Sequence, residues 1–362
     1  MTTLWREVAR GLGQAERKIA LVERCRPLGV RAEQARLVAG WERGEALAPQ
    51  WQLAPAPDLS GLRALLEGVA HRVELLGGVG PLYAARAREL SLEAELAERI
   101  GEPDFAERAD RRFSVGQGQD SDAAEAWATA WSHAPIGPEA APQVETDDDT
   151  RGDSLLSLMR SAVGELRLPF RVTVSPDLVS AAATGDGVIV VRGGCRLSAT
   201  EAERIVHHEV LGHALPRVRA ALERCAIFSI GTAQGSDDEE GRALLIEQRL
   251  GYLGDQRRAE LGHRHLAALA VRRGADFVET VRLLLEVGAL AAAAVAIATR
   301  VHRGGGLARE IVYLTALSRV TRCLETDPES ERFLERGRVA VGALSTLREL
   351  EDAGAFAPLA AE

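Results

Sequence analysis

The stretch IVHHEVLGH, residues 205–213, decides how the rest of the chain is read. It looks like the zinc-protease signature H-E-x-x-H, in which two histidines four apart share one helical face around a glutamate. Here His208-Glu209 is followed by His213, so the histidines are five apart. Each residue of an α-helix advances by about 100°, so residues four apart are offset by about 40° and residues five apart by about 140°. On a straight α-helix His208 and His213 would face away from each other. A local π-turn, with i→i+5 hydrogen bonds, takes up the extra residue and lets the two rings converge. Gly212 lies inside the spacing and is expected to ease the distortion, at a cost in helix propensity of about 1 kcal/mol. Two or three histidines on one helix can also be polar surface residues or a satisfied core pair, and His207 suits neither spacing.

A catalytic zinc site takes three protein ligands and keeps one position open. The third ligand is sought on SDDEEGRALLIEQ, residues 236–248, where Ser236 and Glu239 have capping-box spacing. In that arrangement Glu239 reaches back to the cap and Glu240 is freer to turn to a metal, near a helix N-terminus that favours negative charge. Glu247 and Gln248 fit supporting roles or solvated surface equally well. Glu209 has the position of the general base, taking a proton from water activated by the zinc.

Around this centre the chain reads as mostly helical. Ser198 and Glu201 form a capping box that starts the motif helix. Just upstream, FRVTV (170–174) alternates as a half-buried strand, and GVIVV (187–191) follows a Gly-Asp-Gly turn as a second. The second strand is expected to present an edge to peptide backbone. Helices are predicted over 14–48, 59–100, 154–165, 257–273, 275–302, 307–324 and 329–350. The run 133–153, with three prolines and an acidic cluster, reads as a linker or surface loop. The expected organisation is a helical region 1–132, that linker, and a catalytic domain 154–362. The fold class is α+β, mostly α, with a small β-sheet beside the motif helix.

Composition narrows the function. A net charge of −9 argues against nucleic acid as a partner. Lys18 is the only lysine among the basic residues, which reads as a GC-rich bacterial coding bias. The four cysteines form no C-x-x-C pair, which fits a reduced cytoplasmic chain. The N-terminus lacks an apolar signal core, and the apolar run 287–298 is too short to span a membrane.

HHEVLGHALPRVRA followed by SDDEEGRALLIEQRLGYL resembles a family marked by H-E-x-x-x-H and a later Q/E-E-G-L-A motif. Its bacterial members are named flavohaemoglobin expression-modulating QEGLA-motif proteins, and its animal members include the microtubule-associated tyrosine carboxypeptidase. The likeness continues in ADFVETVRLLLEVG (275–288) and RVHRGGGLAREIVYLTAL (300–317), and covers most of the chain after about residue 60. It implies a zincin-like zinc carboxypeptidase acting on a peptide or protein C-terminus, with His208, His213 and Glu240 as zinc ligands and Glu209 as catalytic glutamate. Two positions depart from the pattern. Arg242 stands where the motif has leucine and is expected to affect substrate choice, and Arg309-Glu310 replaces lysine-aspartate with the charges kept.

The glycine run Arg303-Gly304-Gly305-Gly306 can be a flexible helix–helix connection, or a loop whose backbone approaches substrate. In the second case Arg303, Gly304, Gly305 and Arg309 bind the substrate's C-terminal carboxylate, and Tyr313 donates to the oxyanion. The competing function is a non-catalytic zinc-binding regulatory or scaffold protein, for which a base at Glu209 has no use.

Overall fold

The computed structural model describes residues 3–114, 118–133, 142–176 and 178–356. They are mostly helical with two small sheets. The chain forms two compact units, each made from separate stretches: 137–254 with 319–362, and 2–136 with 255–318. This interleaving differs from the division at 133–153 drawn from the sequence. Residues 134–141 of that expected linker lie outside the described residues. Its far end is structured, since Gln143–Glu145 forms a strand, β1.

The first unit holds the motif helix. Its strands are β1, β2 (Arg171–Ser175), β3 (Ala182–Thr184), β4 (Val188–Arg192) and β5 (Arg196–Ser198). β1 pairs antiparallel with β5, and the other sheet has the order β2-β4-β3. β2 runs parallel to β4, and β3 turns back antiparallel through the Gly-Asp-Gly turn, Gly187 at φ 67. The expected strands at 170–174 and 187–191 are therefore present. The edge assignment is corrected: β4 lies between two partners, and the outer strand packed on the motif helix is β3.

Alternation places Ile189 and Val191 of β4 on the buried face. They pack with Leu155, Leu156 and Met159 of the helix Leu155–Glu165 and with Ile205, Val206 and Val210 of the motif helix. Ser154 caps the first of these helices through Ser157 N–H. Ser198 and Glu201 close the predicted capping box on the second. A helix capped at one end and buried along one face is held firmly enough to carry ligands.

The second unit is helical. The predicted 14–48 breaks into three, at Ala20 and at Gly29, both left-handed, and the predicted 59–100 into two, at Gly77-Gly78. The predicted 275–302 breaks likewise, at Gly288, into Phe277–Glu286 and Ala291–Val301. The alanine-rich run seen in the sequence ends in the second of these, with Ala294, Val295 and Ala298 fully buried. Among the described residues no helix is long and apolar enough to cross a membrane.

Candidate metal centre

The motif helix begins as a regular α-helix, Ala199–His207, widens into a π-helix over His208–Ala214, and resumes as an α-helix over Leu215–Leu222. The widening predicted from the histidine spacing is thus present. His208 and His213 come together, with ring centroids 5.0 Å apart. Gly212 keeps helical φ and serves another purpose: a Cβ there would lie 2.7 Å from Ala243 Cβ. Its missing side chain lets the neighbouring helix Gly235–Arg249 approach closely.

That helix supplies the acids. It starts one residue before the predicted cap, with Gln234 in the left-handed region and Gly235 pressed against the Arg338 carbonyl. Ser236 is therefore not the cap, and Glu239 does not reach back to one. Instead the acidic run is divided by helical phase. Asp238 is buried, accepts from Arg319 Nε at 2.8 Å and receives the Val341 N–H at 2.8 Å. Glu239 Oε2 lies 3.1 Å from His213 Nδ1, off the line of a well-formed hydrogen bond. Glu240 Oε2 lies 3.6 Å from His208 Nε2 and 3.7 Å from His213 Nε2.

Among the described residues, His208, His213 and Glu240 form a cluster whose ligand atoms all lie within 4.8 Å of one another. A tetrahedral ion with bonds of about 2.1 Å spaces its ligands about 3.4 Å apart, close to the two nitrogen–oxygen distances here. The other nitrogens fit a metal role too. His208 Nδ1 meets Glu247 Oε1 at 2.7 Å, and Glu247 is fully buried and contacted by Arg204 at 3.3 Å. The Glu247 carboxylate on His208 Nδ1 fixes the tautomer that turns Nε2 towards an ion.

The electrostatics agree. Burial alone would push the His208 imidazole down, but hydrogen bonds to Glu240 and Glu247 raise it to about 10. Burial would raise the Glu239 carboxyl, yet the charges of Arg217 and His213 hold it down to about 2. These carboxylates favour positive charge at the centre, whether a proton or a metal ion.

Glu209 is buried, and Thr184 Oγ1 of β3 lies 2.7 Å from its Oε2 and 3.2 Å from its carbonyl oxygen. One hydroxyl proton serves two acceptors here, and the shorter contact is to the carboxylate. Sequence reasoning missed Thr184, which sits in a three-residue strand with no periodicity to reveal it. His207 stacks at a tilt on Tyr252, centroids 5.4 Å apart. Arg242 is buried and turns onto the carbonyls of Leu211 and Gly212.

The glycine segment belongs to the second unit. Gly304, Gly305 and Gly306 all have positive φ, and a Cβ on Gly304 would lie 2.7 Å from Cys25 Sγ. Arg303 is buried, donates to the Arg300 carbonyl and lies 3.5 Å from Glu310. Arg309 is half-buried, and its guanidinium lies 5.9 Å from the Tyr313 ring centre, with that of Arg264 at 4.3 Å. The structure thus places the five residues expected at the substrate carboxylate and oxyanion in one unit and the four motif residues in the other.

A helix widened to converge two histidines on a carboxylate from its neighbour defines a centre able to hold a metal ion. The family model described as microtubule-associated tyrosine carboxypeptidase matches residues 43–359, and the chain belongs to this family. A peptidase-related function on a peptide or protein substrate follows from that membership. A crystal structure described as a lipoprotein from Colwellia psychrerythraea shares the fold, with 13% identity and a TM-score of 0.50, over 87% of this chain and 72% of that one. No curated protein matches the chain.

Proposed function

We propose that the protein is a zincin-like zinc carboxypeptidase. The observation that carries this is the His208–His213–Glu240 cluster with a carboxylate at each histidine Nδ1 and a buried glutamate next in sequence to the first ligand. Two nitrogens and one carboxylate suit zinc, and three protein ligands leave a position open, as catalysis requires and a closed structural site does not. Bound there, zinc would lower the pKa of water to about 7 and polarise the substrate carbonyl.

The chain's own residues do the rest. Glu247 holds the His208 imidazole with its Nε2 free to bind, and Glu239 places negative charge beside the His213 ring. Glu209 accepts the proton of the attacking water and hands it to the leaving amine nitrogen. Thr184 steadies the Glu209 carboxylate in the orientation that receives the proton.

The test is mass spectrometry of a peptide library with free and amidated C-termini, using the zinc-loaded protein and the Glu209→Gln variant. The expected result is removal of C-terminal residues from free-acid peptides only. The variant should keep stoichiometric zinc and lose activity roughly 10²- to 10⁴-fold, the usual worth of a positioned base. Zinc binding with full activity in Glu209→Gln would refute the mechanism. Cleavage of amidated peptides at the same rate would refute the exopeptidase assignment.

A further inference from the structure

We propose that Arg242 is a positioning residue of the metal centre: its guanidinium takes the place of the hydrogen-bond donor that Pro216 removes from the motif helix, and so holds the π-turn open. This rests on the metal reading of the site but not on the peptidase reading.

The argument begins with the backbone ladder. In an α-helix the Gly212 carbonyl accepts from the N–H of residue 216, and in a π-helix the Leu211 carbonyl does so. Residue 216 is proline, placed in the first turn of Leu215–Leu222, and it has no N–H. Whichever ladder forms there, one of these two carbonyls loses its partner. The proline ring also crowds the carbonyl four residues back, that of Gly212, which disfavours the tight α alternative.

Arg242 answers this loss from the neighbouring helix. Its Nη2 donates to the Gly212 carbonyl, and Nη1 and Nη2 both lie 3.4 Å from the Leu211 carbonyl. The side chain is only 5% exposed, so the carbonyls it serves have little access to water in its place. It is adjacent in sequence to Ala243, the residue packed on Gly212, and two residues from Glu240. A charged donor fixed by the same helix that carries the third ligand ties the width of the π-turn to the position of that ligand. Without it the turn can tighten, and His208 and His213 move apart.

The test compares Arg242→Met, which keeps the stem and removes the donors, with Arg242→Lys, which returns one cationic donor. The readouts are the zinc dissociation constant, by competition with a chromophoric chelator, and the melting temperature of the apoprotein. Arg242→Met should weaken zinc about 10- to 100-fold, as loss of a ligand-orienting partner does, and Arg242→Lys should recover part of it. In a Pro216→Ala background, where the carbonyl regains an N–H, Arg242→Met should lower the melting temperature less. Unchanged zinc affinity in Arg242→Met, or additive effects of the two substitutions, would overturn the proposal. If neither the wild type nor Arg242→Lys binds zinc, or if His208→Ala leaves binding unaltered, the metal reading fails and takes the proposal with it.

Discussion

Gly212→Ala sets two opposed effects against each other, and the structure decides between them. Alanine is the better helix former by about 1 kcal/mol, so propensity alone predicts a more stable protein. The new Cβ, however, would lie 2.7 Å from Ala243 Cβ and 3.3 Å from Ala243 Cα. Carbon atoms normally pack at about 3.5–4.0 Å, so the two helices must separate by about 1 Å. Overpacking of this kind costs about 1–3 kcal/mol, and Ala243 is fully buried with no flexible end to yield. The net expectation is a loss of about 1–2 kcal/mol in the apoprotein, read from urea denaturation. The larger effect falls on the centre. Ala243 and Glu240 share one helix, and a shift of about 1 Å exceeds the roughly 0.2 Å tolerance of metal–ligand bonds. Zinc affinity should fall about 10- to 100-fold. Ala243→Gly in the same protein removes the clashing atom and should restore most of that affinity, despite its own propensity cost of about 1 kcal/mol. A Gly212→Ala protein that is more stable than wild type and binds zinc equally well would refute the close-approach argument.

Glu247→Ala should weaken zinc about 10- to 100-fold, with Glu247→Gln intermediate, as measured by calorimetric titration. Thr184→Val should lower kcat on a cleaved peptide about tenfold with KM little changed, the worth of one good hydrogen bond to a charged group. Glu310 offers a pH test in the second unit. Burial would raise its carboxyl, but the charges of Arg300, Arg303 and Arg264 hold it down to about 2. Its folded pKa lies below the unfolded value of about 4.3, so its contribution is complete above that value and is lost as pH falls towards about 2. Glu310→Gln leaves those buried guanidiniums short of a partner. It should cost about 3–5 kcal/mol at neutral pH and flatten the loss of stability between about pH 4.5 and 2, followed by denaturant melts across that range.

The sequence brought His208, His213 and Glu240 forward, and the structure gathers them into one cluster. An i,i+5 histidine pair demands a π-turn by geometry alone, and the acids of 236–240 offered few choices for the third ligand. The strands at 170–174 and 187–191 were equally legible from alternation. What escaped has a physical reason in each case. Glu239 was assigned to a cap because Ser236 has the right spacing, yet the close contact of Gly235 with the Arg338 carbonyl starts the helix earlier, and that partner is about a hundred residues away. Thr184 lies in a strand too short to show a pattern. The edge strand was misplaced because strand order depends on pairing, which residue alternation does not encode. The two interleaved units were hidden for the same reason: the chain leaves the first unit after residue 254 and returns at 319 through a single helix, Val312–Thr326.

The extra residue of HHEVLGH also explains why so much outside the motif is specified. A π-turn has poorer packing and hydrogen bonding than the α-turn it replaces, so a helix keeps one only if its surroundings favour it. Here Pro216 makes the α alternative worse, Arg242 supplies donors to the carbonyls left over, and Gly212 admits the helix that brings both Arg242 and Glu240. Glu247 then holds the His208 ring by its Nδ1 atom, and the Glu239 carboxylate lies beside that of His213. Each of these residues acts on the same equilibrium, between a tight turn that splays the histidines and a wide one that unites them. It follows that His208-Glu209-x-x-x-His213 moved alone onto another helix should not form this centre. The information for the site is divided between two helices that the sequence separates by about thirty residues.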